Sequence, residues 1–380
     1  MRIEDSGLIY DAAGRPGSRR VASFVSLCPL RSGAVLCGFQ LGSRKHDVHS
    51  TLGLCRSRDG GRTWEELPTR FDTTWAGVSG SLAAGEMVEV EAGRLLLFAT
   101  WFDRRDPSRP LFDAESEGIL PSRQLVAAST DEGQSWGTWQ ELPTPGRTGC
   151  SVTGPVLRWP DGRIGFAFES YKEYNDPRPA RHAAWLAVSH DGGRSFDDPI
   201  LVAQDPEHCV YYWDQRLDAE GSGGQFVALF WTHDRGRKQD LSVHLRRASI
   251  DANDIENCPV RATPIPGQIA APLILPDGRL LAFVVNRGRL GTMTLWQSHD
   301  GGAEWPANDA LVVYTHDERA LISQKSTDID FKQYWDDMAK WSFGHPAIRA
   351  LDENRVLLAF YAGTPDCMSV HWARIDTREQ

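Results

Sequence analysis

The stretches YYWDQR (211–216) and WTHDR (231–235) hold the densest chemistry in the chain. Each carries an aspartate among aromatics, Asp214 and Asp234, and the second adds His233. Carboxylates gathered in a partly dry site do not all stay ionised, so one is pushed toward the protonated form that a general acid needs. Glu169, which opens ESYKEYNDPRPARH (169–182), is a further carboxylate available for such a pair. Strand alternation predicts Tyr212 and Asp214 on one face, with Tyr211 and Trp213 on the other. Tyr212 and Tyr361 supply phenols able to orient or attack a reacting centre. His49, His233 and His345 suit a different reaction, in which a proton is removed beside a neutralised carboxylate and β-elimination follows.

Such residues need a frame, and the chain repeats one. CPLRSGAVLCGF (28–39), VEVEAGRLLLFAT (88–100), LRWPDGRIGFAFE (157–169), LDAEGSGGQFVALFW (217–231), LILPDGRLLAFVV (273–285) and IRALDENRVLLAFY (348–361) each read as apolar strand, tight polar turn, apolar strand. Their turn residues, Gly33, Gly93, Gly162, Gly224, Gly278 and Asn354, are spaced by 54 to 76 residues. A unit of that size, repeated six times, is predicted to be a four-stranded propeller blade. A second phrase recurs after four of the hairpins: SRDGGRTW (57–64), STDEGQSW (129–136), SHDGGRSF (189–196) and SHDGGAEW (298–305). Its aspartate can accept hydrogen bonds from its own turn, its glycines permit positive φ, and its aromatic can pack between blades. The phrase is therefore expected to build the fold and not to do chemistry. The fourth copy has Glu304 in place of Thr or Ser, and the unit holding RRASIDANDIEN (246–257) lacks the phrase's glycine and tryptophan.

The phrase matches the Asp-box, S-x-D-x-G-x-[ST]-W, and the chain resembles the sialidase-like (BNR-repeat) six-bladed β-propellers over nearly its whole length. The resemblance implies an all-β fold, with residues 1–380 as one propeller domain. SGLIYDA (6–12) would supply the last strand of blade six beside HWARID (371–376) and so close the ring. Between blades five and six, Phe331, Tyr334, Trp335, Met338 and Trp341 follow helical spacing in DIDFKQYWDDMAKW. That short amphipathic helix is expected to cap apolar surface, in preference to lining a pocket.

The resemblance also implies that the active site lies at the end opposite the boxes. Long polar loops gather there, among them QLGSRKHDVHS (40–50) and WFDRRDPSRPLFDAESEGILPSR (101–123). The family's acid/base aspartate falls on Asp47, in FQLGSRKHDVHS. The chain departs from the family elsewhere: Ser23 stands about where an arginine of the carboxylate clamp belongs, and His345 stands where the nucleophilic tyrosine starts the blade-six strand. Asp47, Asp214, Glu169, His233, His345 and Tyr212 are the expected catalytic residues. His49, Arg104, Asp234, Arg287, Tyr361 and Trp231 are the expected substrate contacts. Arg104, Arg105, Arg123, Arg181, Arg216 and Arg287 make an anionic sugar, sialic or uronic, a reasonable ligand.

Together these readings imply a carbohydrate-active enzyme, in the first place an exo-acting glycoside hydrolase on a terminal sugar, acidic if the arginines clamp it. A lyase acting on uronic-acid glycans and a non-catalytic glycan-binding propeller are the alternatives. No cofactor is expected, and no spacing of residues calls for a metal. A net charge of −10 leaves no basic excess to neutralise phosphates, which argues against nucleic acid. No apolar run is long enough to span a membrane, and no signal-peptide pattern opens the chain, so a cytoplasmic protein is expected. The seven scattered cysteines read as buried thiols and not as a disulfide or zinc framework.

Overall fold

The computed structural model describes residues 1–113, 115–288, 291–316 and 337–378. It is a six-bladed β-propeller. The inner strands, in blade order, are Val21–Pro29, Val78–Glu91, the interrupted pair Ser151–Val152 and Leu157–Arg158, Val210–Glu220, Ala270–Ile274 and Phe343–Asp352. Each pairs antiparallel with the strand that follows it. The hairpins joining them carry the turn glycines foreseen in the sequence, and Gly33, Gly93, Gly162, Gly224 and Gly278 all adopt φ between 77° and 91°.

The ring closes as expected. Arg2–Tyr10 pairs antiparallel with Cys367–Asp376 and becomes the outer strand of blade six, with Gly7 opposite Trp372. Blades six and one are also joined by a parallel contact between Val21 and Met368. Apolar side chains fill the wedges between neighbouring blades, as where Phe98 of blade two stacks on Phe166 of blade three at 4.9 Å.

The repeated phrases are the turns between third and fourth strands. In the first, Asp59 accepts the Thr63 backbone N–H at 2.9 Å and its hydroxyl at 2.7 Å, and Trp64 Nε1 donates to Gly61 O at 3.0 Å. Each phrase docks on the preceding blade in the same way. An arginine of that blade donates to the carbonyl of the fourth phrase residue: Arg374 to Gly60, Arg56 to Glu132, Arg94 to Gly192 and Arg247 to Gly301. A leucine of that blade, Leu357, Leu36, Leu96 or Leu245, packs on the fifth residue, where any Cβ would collide with it. Blade four replaces the phrase with a short helix, Ala252–Asn257, whose Asp254 accepts the Ser249 N–H at 2.6 Å.

Phe331, Tyr334 and Trp335 of the expected insertion helix lie outside the described residues. Its end, 337–340, is helical. There Met338 lines a cavity at the end of the axis opposite the repeated turns, and Trp341 packs at 5.7 Å from Trp231, so this end of the insertion is pocket wall and more than a cap. All seven cysteines are unpaired. Cys28, Cys37, Cys55 and Cys150 are buried as expected, but Cys209 is exposed. Among the described residues, no helix is long and apolar enough to cross a membrane.

Candidate active site

Four inner strands break their pairing at the same level. The register shifts fall between Ser23 and Ser26, Ala83 and Glu86, Trp213 and Arg216, and Gly344 and Ala347. At each shift one non-glycine residue takes a left-handed conformation: Phe24 (φ 53°), Ala84 (51°), Asp214 (45°) and His345 (55°). Such bulges turn a side chain out of the alternating pattern at a steric cost. All four residues line one cavity of about 140 Å³ at the end of the axis opposite the repeated turns.

The bulge overturns the alternation expected for YYWDQR. Trp213 and Asp214 both line the cavity. Tyr212 points away, with its ring 5.6 Å from Phe230 and 6.1 Å from His244. Gln215, fully buried, locks the bulge by donating its amide Nε2 to Phe168 O and Trp185 O of blade three, both at 2.9 Å. Gly154 is needed for this approach, because a Cβ there would lie 2.5 Å from Gln215 O.

Two carboxylates share the cavity wall, Asp214 on blade four and Glu169 on blade three. Glu169 accepts the Gln215 backbone N–H at 3.0 Å and faces His182 Nε2 at 3.2 Å. A carboxylate accepts, so the His182 proton sits on Nε2. No described residue donates a hydrogen bond to the Asp214 carboxyl. Burial, and then the charge of Glu169, push its pKa up to about 6, against the pull of Arg216, Arg287 and Lys45.

His345 lies beside them with its proton fixed. Its Nδ1 donates to Val25 O at 3.1 Å, and its Nε2 accepts from Arg216 at 2.6 Å, since a guanidinium can only donate. Burial and the Arg216 charge hold its pKa well below the usual histidine range. A neutral imidazole whose acceptor is already taken is no free base. Arg216 in turn lies 4.0 Å from Glu86, one layer deeper on the axis.

Aromatic and apolar groups complete the wall, among them Phe24, Tyr171, Trp213 and Trp231. The loop from blade two roofs it with Leu111, Phe112 and Ile119, and Glu117 of that loop bridges to Arg235 of blade four at 2.9 Å. His46, with its pKa lowered to about 3 by burial and then by Lys45 and Arg104, adds a neutral imidazole.

The other expected residues stand elsewhere. Asp47 accepts from Ser43 N at 2.7 Å, Ser43 Oγ at 2.5 Å and His49 N at 2.9 Å. Burial raises its pKa, but those hydrogen bonds outweigh it and hold the carboxyl below its ordinary value. It staples its own loop and does not suit a proton donor. His49 is exposed outside the cavity wall. His233 is a step behind it, bonded to Asp240 at 2.9 Å and stacked on Trp213. Asp234 caps a turn by accepting the Arg237 N–H. Trp231 alone among the expected substrate contacts lines the cavity.

The arginines also find other work. Arg104 donates to Ser81 Oγ at 2.9 Å and to His46 O, Arg105 pairs with Asp103, and Arg123 pairs with Glu141. Arg287 stacks 4.1 Å above Trp341. Lys45 bonds Tyr361 Oη at 3.0 Å. Burial would push that phenol up, but Lys45 and Arg287 outweigh it and bring it below its ordinary value. None of these cations lines the cavity among the described residues, and neither does Tyr361. The expected clamp for an anionic sugar is not assembled there. No group of three or more His, Cys, Asp or Glu among the described residues is placed to hold a metal ion.

Sequence reasoning missed His182 as a partner of Glu169 and Trp213 as cavity wall. Both stand in stretches it had singled out, ESYKEYNDPRPARH and YYWDQR.

Solved structures share this fold. A protein of unknown function from Dyadobacter fermentans superposes with a TM-score of 0.71 at 20% identity, over 99% of both chains. A Hadza microbial sialidase matches with a TM-score of 0.66 at 15% identity, over 98% of this chain and 68% of its own. An α-L-arabinanase of Penicillium chrysogenum, complexed with arabinobiose, matches with a TM-score of 0.64 at 14% identity, over 100% and 99%. At these identities the likeness concerns the fold. No protein-family model matches the sequence, and no curated protein is similar enough to count as a relative.

Proposed function

We propose that the protein is a glycoside hydrolase that removes a neutral terminal sugar from an oligosaccharide. One observation carries the reading: Asp214 and Glu169 share the wall of an aromatic-lined cavity, where burial and the charge of Glu169 push the Asp214 pKa up to about 6. A neutral carboxylic acid beside an ionised one is the division of labour that glycosidic cleavage needs. Asp214 donates its proton to the leaving oxygen as the bond from that oxygen to the anomeric carbon breaks. Glu169, oriented by Gln215 N–H and His182, stabilises or attacks the positive anomeric centre, and water completes the exchange. The net reaction adds one water across the bond. Trp213, Trp231 and Tyr171 offer apolar faces to a sugar ring.

A neutral sugar fits better than the anionic one expected from the loop arginines. Glu169 on the wall repels an anion, and the described cations nearby, Lys45, Arg216 and Arg287, lie behind the wall on Tyr361, His345 and Trp341. The Lys45–Tyr361 contact favours a lyase, because a cation and an acidified phenol suit proton abstraction. Both groups lie behind the wall, so hydrolysis is preferred.

The test is mass spectrometry of neutral, uronate-containing and sialylated oligosaccharides after incubation with the protein, beside Asp214→Asn and Glu169→Gln. Products that together gain one water, and that vanish in either variant, are expected from neutral substrates. Products that sum to the substrate mass, with a new unsaturated end, would replace this reading with the lyase. No product from any substrate would leave a binding role in its place.

A further inference from the structure

A second cavity, of about 350 Å³, lies at the end of the axis where the hairpins and repeated turns are. Three arginines reach it from three blades: Arg31 from the blade-one turn, Arg158 from the end of the blade-three inner strand, and Arg349 from the blade-six inner strand. Two carboxylates face them, Glu89 and Asp218.

The donors there outnumber the acceptors. Glu89 already accepts the Arg31 N–H at 2.7 Å and the Gly93 N–H at 3.0 Å, and its ion pair with the Arg31 side chain is long, 3.8 Å. Asp218 accepts the Ile274 N–H at 2.8 Å, and burial raises its pKa to about 6, which weakens it as a counter-charge. The Arg158 guanidinium has no hydrogen-bond acceptor among the described residues. That of Arg349 has only Ile348 O, at 2.9 Å. Burial and then the neighbouring Arg31 disfavour the charge on Arg158. Guanidinium forks left partly unfilled, converging on one cavity in a chain of net charge −10, form a local excess of positive potential.

We propose that this second cavity binds a tetrahedral oxyanion, phosphate or sulfate, held by Arg31, Arg158 and Arg349. Approach from three blades suits an anion with three or more acceptor oxygens better than a planar carboxylate, which one fork can satisfy. The cavity also has room for the organic part of an ester, so the ligand is either the free ion or the charged end of a small phosphorylated or sulfated molecule. The site is on the face opposite Asp214 and Glu169 and does not depend on the hydrolase reading.

The experiment is isothermal titration of the full chain with inorganic phosphate, inorganic sulfate and glucose 6-phosphate, in a phosphate-free buffer of fixed ionic strength. Arg158→Gln and Arg349→Gln are the test variants, and Arg123→Gln, on the opposite face, is the control. Thermal unfolding without ligand establishes that each variant is folded. Arg158 is exposed, so its variant carries the test if Arg349→Gln fails to fold. Wild type and Arg123→Gln are expected to bind phosphate alike, with affinity about tenfold weaker in Arg158→Gln. Absence of binding by all three ligands, or equal weakening in Arg123→Gln and Arg158→Gln, would overturn the proposal. Comparable affinity for glucose 6-phosphate and phosphate supports it with an ester as the ligand. Much weaker binding of glucose 6-phosphate supports it with the free ion.

Discussion

Glu169 accepts a hydrogen bond at 3.0 Å from the backbone N–H of Gln215, the residue that follows Asp214. The two carboxylates come from different blades, yet one peptide group sets their relation. Asp214→Asn and Glu169→Gln should each lower kcat by about 10³-fold or more while binding of the substrate persists. Steady-state kinetics with isotherms of substrate binding check the split.

The pH dependence of that activity follows from Asp214. Its carboxyl must be protonated to donate, so kcat/KM should fall as pH rises through about 6. Stability moves in the same direction. The folded pKa is raised above the ordinary value, so the contribution is full below about pH 4 and is lost as pH rises through about 6. Asp214→Asn should therefore be more stable than wild type above pH 6, by up to about 3 kcal/mol, and denaturant titrations across that range would show it.

His182 should act by positioning Glu169. His182→Ala should cost about 10- to 100-fold in kcat, with the fall near pH 6 left in place, since that belongs to Asp214. A pH–rate profile of the variant distinguishes positioning from a proton-transfer role.

The four left-handed residues store strain where the cavity is built. Ala84 has φ 51° and no polar group. Ala84→Gly should stabilise the fold by about 0.5–1 kcal/mol, because glycine adopts this conformation without the Cβ penalty. A higher unfolding midpoint is the expected result.

The repeated turns should matter for stability alone. Asp131→Ala removes the bonds to Ser129, to Ser135 N–H and to the Ser135 hydroxyl, and should cost about 1 kcal/mol with kcat unchanged. Burial raises the Asp131 pKa, but those bonds outweigh it and hold it at about 2. The wild-type advantage is thus full above about pH 4 and should shrink as pH falls toward 2. Parallel acid titrations of both proteins would detect the convergence.

The frame was legible in the sequence because propeller blades repeat their local chemistry. Gly33 or Gly278 marks a hairpin wherever it stands, and Asp59 stabilises its turn with atoms from its own loop. The cavity was less legible, because it depends on departures from regularity. Strand alternation paired Tyr212 with Asp214, but the bulge sets Asp214 beside Trp213 and sends Tyr212 to the opposite side. No residue type in YYWDQR announces a positive φ at an aspartate. Asp47 matches the family's loop phrase only loosely, and the hydrogen bonds it accepts from Ser43 and His49 hold that loop together. The loop arginines are plain in the sequence, but their directions come from tertiary packing: Arg216 points inward to His345 and Arg105 outward to Asp103.

The strand that closes the ring has a consequence for how the protein is made. Arg2 lies opposite Asp376, 374 residues along the chain, and their side chains bond at 3.2 Å. Arg2–Tyr10 is synthesised long before its partner strand and must wait for it. Until then Arg2–Tyr10 has no partner, and five blades can assemble around an incomplete circle with an open edge on either side. Completing the circle is the most non-local event available to this chain, and entropy makes such an event late and slow. The nascent protein is thus most exposed to mispairing with a second copy of itself in the interval before Cys367–Asp376 emerges.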